Sequence, residues 1–419
     1  MRIDMVSEHA NPLASLGDAD SGGQNVYVAA LAERLALAGH EVTVHTRRDD
    51  PAATSRTAPA GYAVELFDAG PARPIPKDEI WQHLPVISEH LARHWEVQRP
   101  DVVHAHFWMS GAAAAAALDR GESSTDRPDP RHLAPAPALR RSCVPLVQTF
   151  HALGTVKRRH QGDADTSPPQ RLEAEAELAG SVDRILATCH DEVDELRAMG
   201  VTHDRVSVIP CGVDTSVFQP AAPRPAGARP TLLALGRLVE RKGVDDVVTA
   251  LAQLPGVDLV VAGGGEAGDL DVARLRALAA RLGCADRVRF LGPVDRPDVP
   301  AVLSACDVVV CVPWYEPFGI VPLEAMAVGR PVVGSDVGGL KDTVVPGVTG
   351  ERVPPRRPDE LARVLAGLLA DPLRRTAYGR AGVQRVQRLY RWEHVATRTE
   401  RVYEDVVAQR AARATEVAR

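Results

Sequence analysis

The sequence predicts an α/β protein made of two doubly wound, mainly parallel sheets. Three observations carry that prediction. Short apolar runs of strand length alternate with helix-length stretches along the 419 residues. The runs fall into two series, and the segment between them, Gln219 to Pro230, holds four prolines and one glycine among twelve residues, a linker composition. A hydrophobic content of 45% is enough to fill the cores of two or three domains of this total length. The expected division is residues 1–218 and residues 219–390.

The first series opens with a strand Ile3 to Ser7 and a loop to Gly23. A helix Val26 to Ala38, closed by Gly39, and a strand Glu41 to Thr46 complete a βαβ unit. Ala63 to Phe67, Val102 to Ala105, Leu146 to Thr149, Ile185 to Thr188 and Val206 to Ile209 supply its further strands. The second series has strands Thr231 to Leu235, Leu259 to Ala262, Val288 to Leu291, Val308 to Val312 and Val332 to Ser335. Arg120 to Leu139, rich in Pro, Ser and Asp, reads as a surface excursion, and Arg391 to Ala414 as a long terminal helix.

Charge and cysteine usage narrow the function. A net charge of −6 argues against an extended nucleic-acid surface. No run of eighteen apolar residues and no secretory h-region is present, so a soluble cytoplasmic protein without membrane association is expected. The six cysteines show no Cys-x-x-Cys spacing and read as reduced core residues. Oligomeric state is not readable.

The chemistry concentrates between Trp314 and Gly339, where Glu316 and Glu324 stand eight positions apart. The apolar run before Trp314 reads as a buried parallel strand, and a helix begins near Pro322 and stops at Gly329. That geometry sets Glu316 and the amides of Phe318, Gly319 and Ile320 at a strand's carboxyl end, beside a helix N-terminus that attracts anions. A nucleotide sugar fits such a place. Ionised Glu324 can hold ribose hydroxyls, Glu316 the hexose and the amides the diphosphate. The plain alternative is one surface carboxylate and one capping carboxylate.

This stretch, with its Glu316-Pro317-Phe318-Gly319-Ile320 loop and Gly338-Gly339 pair, resembles the Glu-x7-Glu motif of retaining GT-B glycosyltransferases of family four. Gly236-Arg237-Leu238-Val239-Glu240-Arg241-Lys242-Gly243 is similar to the family's Gly-Arg-x5-Lys-Gly segment. It is expected to start a helix after its strand and to aim Arg237 and Lys242 at the leaving diphosphate, with Arg241 solvated. Preorganised cations there stabilise the departing charge by several kcal/mol. The resemblance implies two Rossmann-like domains facing a cleft, the last helix, about 391–419, crossing back to the first domain, and hexosyl transfer from a nucleotide sugar co-substrate without metal or other cofactor. It leaves UDP, ADP and GDP open as donor nucleotides.

In the first half, Gly17 to Val28 resembles the Gly-Gly-Gln segment of sucrose-phosphate synthases and the Gly-Gly-x-Asn segment of actinobacterial inositol-phosphate glycosyltransferases. It implies Gly23 near the donor diphosphate and Gln24 and Asn25 on acceptor or phosphate oxygens. His151-Ala152-Leu153 resembles the segment whose histidine contacts the transferred hexose, which makes His151 a catalytic candidate beside Arg237, Lys242 and Glu316. A satisfied core histidine is the alternative. Lys77, Lys157 and Arg171 are candidate cations for a phosphorylated small-molecule acceptor, with solvated helix faces as the alternative. Ala152 and Phe107 depart from the related groups, and acceptor identity stays open.

Other readings are weaker. Asp18 and Asp20 form an Asp-x-Asp, but such matches arise by chance and a second stands at Asp163 and Asp165. His104 and His106 lack an evident third ligand and read as packing residues. Gly263, Gly265 and Gly268 spell a dinucleotide fingerprint, making an NAD(P)-dependent oxidoreductase a formal rival. The acidic residue at the matching distance, Asp286, precedes its strand instead of ending it. A noncatalytic nucleotide-sugar sensor is the third reading, disfavoured because the cations and carboxylates are all in place.

Overall fold

The computed structural model describes residues 1–13, 22–120, 143–222, 224, 227–265 and 269–417. The chain divides into two units, each on its own sheet. The first comprises Met1–Thr188, Glu192–Pro210 and Val395–Arg419, the second Cys189–Asp191 and Cys211–His394. The division thus falls just before the proline-rich segment. Asp18, Asp20, Gly17 and Gly268, and most of the expected excursion after Arg120, lie outside the described residues.

The first unit runs β1 (Arg2–Val6), α1 (Gly23–Leu37), β2 (Glu41–Arg47), β3 (Arg56–Thr57), β4 (Ala63–Phe67), α2 (Leu84–Val97), β5 (Val102–His106), α3 (Trp108–Arg120), β6 (Leu146–Thr149), α4 (Gly154–Gln161), α5 (Arg171–Ser181), β7 (Arg184–Ala187), α6 (His190–Ala198) and β8 (Val206–Val208). Its eight strands lie in the order β3-β4-β2-β1-β5-β6-β7-β8, parallel except for β3. Ile3 pairs with both Val42 and Val102, placing β1 at the centre. β5 is buried at all five positions, as expected of a strand covered on both faces. Tyr27, Leu31 and Leu35 of α1 are fully buried, and each such side chain contributes roughly 1.5–3 kcal/mol by leaving water.

The second unit runs β9 (Thr231–Leu235), α7 (Val244–Ala252), β10 (Asp258–Ala262), α8 (Leu270–Arg281), β11 (Val288–Gly292), α9 (Val299–Ser304), β12 (Val308–Cys311), α10 (Ile320–Ala327), β13 (Val332–Ser335), α11 (Leu340–Thr343), β14 (Gly350–Val353), α12 (Pro358–Ala370) and α13 (Pro372–Leu389). Its six strands are ordered β11-β10-β9-β12-β13-β14, all parallel. The last helix, α14 (Trp392–Val417), belongs from Val395 onward to the first unit. There Tyr403 is fully buried, its hydroxyl 2.6 Å from His104 Nδ1, and Arg410 pairs with Asp183 at 2.7 Å.

In both sheets the strand order reverses, between β1 and β5 in one and between β9 and β12 in the other. The loops leaving the two strands on either side of such a reversal diverge to opposite faces, which opens a crevice at the strands' carboxyl ends where α/β sheets bind ligands.

Four local expectations need correction. Helix α1 starts at Gly23 instead of Val26. The Asn25 side chain accepts the Gly22 N–H at 3.0 Å, so glycines that look like loop are drawn into a capped first turn. Gly236 to Gly243 does not start a helix: a 3₁₀ turn over Glu240–Lys242 and a left-handed Gly243 precede α7. Strand β3 was not foreseen because two exposed residues carry no alternation. Nor was β14, whose central Glu351 and Arg352 are charged.

Candidate active site

In the second unit the site is built where β9 and β12 part. Gly243 has φ +70°, and a Cβ there would lie 2.1 Å from the Val312 carbonyl oxygen. Only glycine lets the loop after β9 lie directly on the end of β12. The Trp314 N–H then donates to the Arg241 carbonyl at 2.9 Å, and the Lys242 ammonium pairs with the Glu316 carboxylate. On the other side Gly338, at φ +46°, and Gly339 receive the loop, the Gly339 N–H donating to the Glu316 carbonyl at 2.8 Å. A Cβ at Gly338 would stand 2.3 Å from that same oxygen.

Two cations therefore act on Glu316. Burial pushes its carboxyl up, but Lys242, Arg241 and the Phe318 N–H outweigh it and hold the group below its ordinary value. Arg241 is not solvated as the sequence suggested. It is half-buried, and burial lowers its pKa, assisted by Arg237 and opposed by Glu316. Arg237 is exposed on the same loop. The fixed carboxylate can orient hydroxyls while the cations of this loop can neutralise developing phosphate charge.

Glu324 lies one turn into α10, a helix capped by Gly319 at φ +73° and beginning at Ile320. Pro322 to Ala327 are all buried, and Glu324 is the one polar side chain among them. A carboxylate 1% exposed needs a partner, and Arg296 supplies it, stacking also on Phe218 at 4.7 Å. Burial still raises the Glu324 pKa, with Arg296 opposing. Cys311, at the end of β12, feels both carboxylates: burial first pushes its thiol up to about 12, Lys242 opposes, and Glu316 and Glu324 add.

The glycine fingerprint has a local explanation. Gly263, at φ +120°, would put a Cβ 2.0 Å from the Gly236 carbonyl oxygen, so it is needed where two loops cross. Asp269 caps α8 by accepting from the Asp271 N–H at 2.8 Å.

The first unit gathers a second set at the parting of β1 and β5. The Glu8 N–H donates to Ser110 Oγ at 3.0 Å, and Gln24 Nε2 donates to Ser7 Oγ at 3.3 Å and the His106 carbonyl at 3.4 Å. Gln24 and Asn25 are thus buried joints of the loop. His106 Nδ1 and His151 Nε2 share a hydrogen bond of 3.0 Å. Phe107 and His151 adopt φ of +79° and +61°, strained for side chains of their size. The two residues follow the adjacent strands β5 and β6. Burial lowers the His106 pKa to about 3 and holds His151 well below its usual value, with His106 and His9 adding, so both rings are neutral.

Lys77 and Arg171 converge on Phe107, at 5.0 and 4.9 Å from its ring centroid. Lys157 joins them through Asp78, at 3.6 Å, and also pairs with Asp165 at 3.0 Å. Burial raises the Asp78 pKa, but the Thr166 hydroxyl and then Lys157, Lys77 and Arg171 bring it below its ordinary value. Arg171 is buried rather than solvated: it donates to Glu175 at 2.7 Å, to Ser167 at 3.1 Å and to the Ala152 carbonyl at 2.6 Å. That last bond fixes the segment carrying His151. Sequence reasoning missed Asp78, Arg241 and Arg296. Asp78 adjoins Lys77, whereas Arg296 follows a partly exposed strand with no motif of its own.

Residues 22–212 match the glycosyl transferase 4-like domain, and residues 218–385 match glycosyl transferases group 1. A D-inositol 3-phosphate glycosyltransferase of Kribbella flavida is 35% identical over 96% of this chain and 95% of its own. The chain is a group 1 glycosyltransferase. A second D-inositol 3-phosphate glycosyltransferase, from Acidothermus cellulolyticus, is 34% identical over 99% of this chain and 92% of its own. The solved sucrose-phosphate synthase of Thermosynechococcus elongatus superposes with a TM-score of 0.86 at 31% identity, covering 98% of this chain and all of that one. The glycosyltransferase is accordingly a GT-B, family-four hexosyltransferase drawing on a nucleotide-sugar donor, and the oxidoreductase reading has no support. Among the described residues no helix is long and apolar enough to cross a membrane.

Proposed function

We propose that this glycosyltransferase moves a hexosyl unit, with retention, from a nucleoside diphosphate sugar on its second unit to a hydroxyl of a phosphorylated polyol or sugar on its first. The observation that carries the acceptor class is the meeting of Lys77, Lys157 and Arg171 around Asp78 and Phe107. The relatives' names, which specify inositol 3-phosphate and sucrose phosphate, support it.

In this reading the bond between the anomeric carbon and the diphosphate oxygen breaks while the acceptor oxygen attacks from the same face. The acceptor's proton passes to the departing diphosphate, so no side-chain nucleophile is needed. On the second unit Arg237 and Lys242 neutralise the leaving group and Glu316 orients the hexose hydroxyls; His151 is the first unit's candidate for contact with sugar. Glu324, its charge held by Arg296, serves the ribose. The amides of Phe318, Gly319 and Ile320 serve the diphosphate on the second unit; on the first, Gly23 is the candidate for phosphate contact and Gln24 and Asn25 for the acceptor. Two lysines and a buried arginine supply the positive charge a phosphate requires. The transfer takes place without a catalytic metal.

The test assays purified protein with a panel of nucleotide sugars against inositol 3-phosphate, fructose 6-phosphate and their unphosphorylated counterparts. Transfer confined to phosphorylated acceptors is expected, and Lys77→Ala should raise the acceptor KM on the order of tenfold or more while leaving the donor KM unchanged. Equal rates on unphosphorylated acceptors would reject the acceptor class. Stimulation by added Mg²⁺ or Mn²⁺ would reject the metal-free step.

A further inference from the structure

The first unit holds a polar cluster apart from the loops described above. Asp4 stands on β1, His45 on the neighbouring β2 and His94 on α2, which covers them. Asp4 and His45 are almost wholly buried, and the side chain of His94 is 19% exposed. Their ligand atoms all lie within 4.8 Å of one another. His45 Nε2 is 2.9 Å and His94 Nε2 4.0 Å from Asp4 Oδ2.

We infer that Asp4, His45 and His94 bind one divalent transition-metal ion, Zn²⁺ by chemistry, and that the ion fastens α2 to the sheet. Tetrahedral Zn²⁺ with ligand bonds of about 2.0–2.1 Å sets its ligand atoms roughly 3.3–3.4 Å apart. The two observed separations, 2.9 and 4.0 Å, straddle that spacing, so small side-chain adjustments suffice. Two imidazoles and one carboxylate form a donor set suited to zinc, leaving one position open.

The surroundings are those of a supported site. The Trp95 indole N–H donates to Asp4 Oδ2 at 2.7 Å and fixes the carboxylate, the kind of outer contact that orients metal ligands. His90 packs its ring 6.1 Å from that of His45 and stacks on His94 at 6.5 Å, and its buried Nε2 has no hydrogen-bond partner among the described residues. Among the described residues His45 Nδ1 is likewise buried without a hydrogen-bond partner. Binding of the ion at His45 Nε2 places the ring proton on Nδ1. The exposed edge of His94 supplies an entry path. Because the three residues are spread over β1, β2 and α2, no spacing motif announces them in the sequence.

The test uses the full chain after chelation and dialysis, titrated with Co²⁺ and followed by visible absorption, then competed with Zn²⁺. One ion per chain is expected, with tetrahedral Co²⁺ bands, a higher Tm on loading, and an affinity lowered on the order of a hundredfold or more in His94→Gln. His94→Gln alters a partly exposed helix position and so keeps the test meaningful if Asp4→Asn fails to fold. No binding by the unaltered chain, or binding that His94→Gln leaves unchanged, overturns the site and leaves a buried Asp–His–Trp hydrogen-bonded set.

Discussion

At the scale of single residues, the charges at the β9–β12 parting make the sharpest demand. Arg237→Ala and Lys242→Ala should each lower kcat on the order of a hundredfold, with Tm shifted by only a few degrees, because their charge is needed in the transition state more than in the fold. Turnover near the unaltered value in both would remove the leaving-group role. Glu192 tests burial instead. It is fully buried, and burial raises its carboxyl to about 7 against the opposing Thr188 N–H and hydroxyl. Between its ordinary value and about 7 the folded chain keeps a proton that the unfolded chain has lost, so stability falls as pH rises through this window. Glu192→Gln should flatten the dependence of Tm on pH between 5 and 8, a difference on the order of 2–3 kcal/mol. A dependence identical in both proteins would contradict it. Thiol titration gives a third check. Cys143 is exposed while Cys189, Cys211, Cys284 and Cys306 are buried and burial pushes Cys311 up to about 12, so one thiol should react promptly at pH 8.

At the scale of elements, glycines decide how loops meet. Gly243→Ala would drive a Cβ into the Val312 carbonyl in a left-handed backbone, costing about 2 kcal/mol or more and lifting Lys242 off Glu316. Loss of activity together with a lowered Tm is expected, in contrast to Lys242→Ala, and an unchanged Tm would refute the close approach. Much of this was legible beforehand. Alternating apolar runs located the strands, and side chains just past strand ends, Glu316, His151 and Lys242 among them, could be read as site residues. What the sequence concealed depends on contacts between distant segments. Nothing near Arg241 reveals that Trp314 holds its backbone, and nothing near Arg171 reveals that it grips the Ala152 carbonyl. The glycine-rich start of α1 misled because weak helix formers were rescued by a cap.

At the scale of the whole molecule, the strand order of each sheet follows from two series of βα repeats, but the membership of α14 does not follow from periodicity. It came from family resemblance, and the structure supplies the physical reason: Val395, Val402, Tyr403 and Val406 are buried in the first unit. Tyr403→Ala should cost about 3 kcal/mol or more, because it empties a core position and strands His104 Nδ1. Calorimetry should show the first unit's transition lowered and the second's unchanged; equal lowering of both would contradict separate cores. That arrangement also dictates an order of birth. On the ribosome nearly all of the second unit, Cys211–His394, emerges as one stretch, whereas the first, although begun earlier, waits for α14 until that stretch has been translated. The nascent lobe begun first is therefore completed only after the second, with the face meant for α14 open to chaperones while the second unit is made.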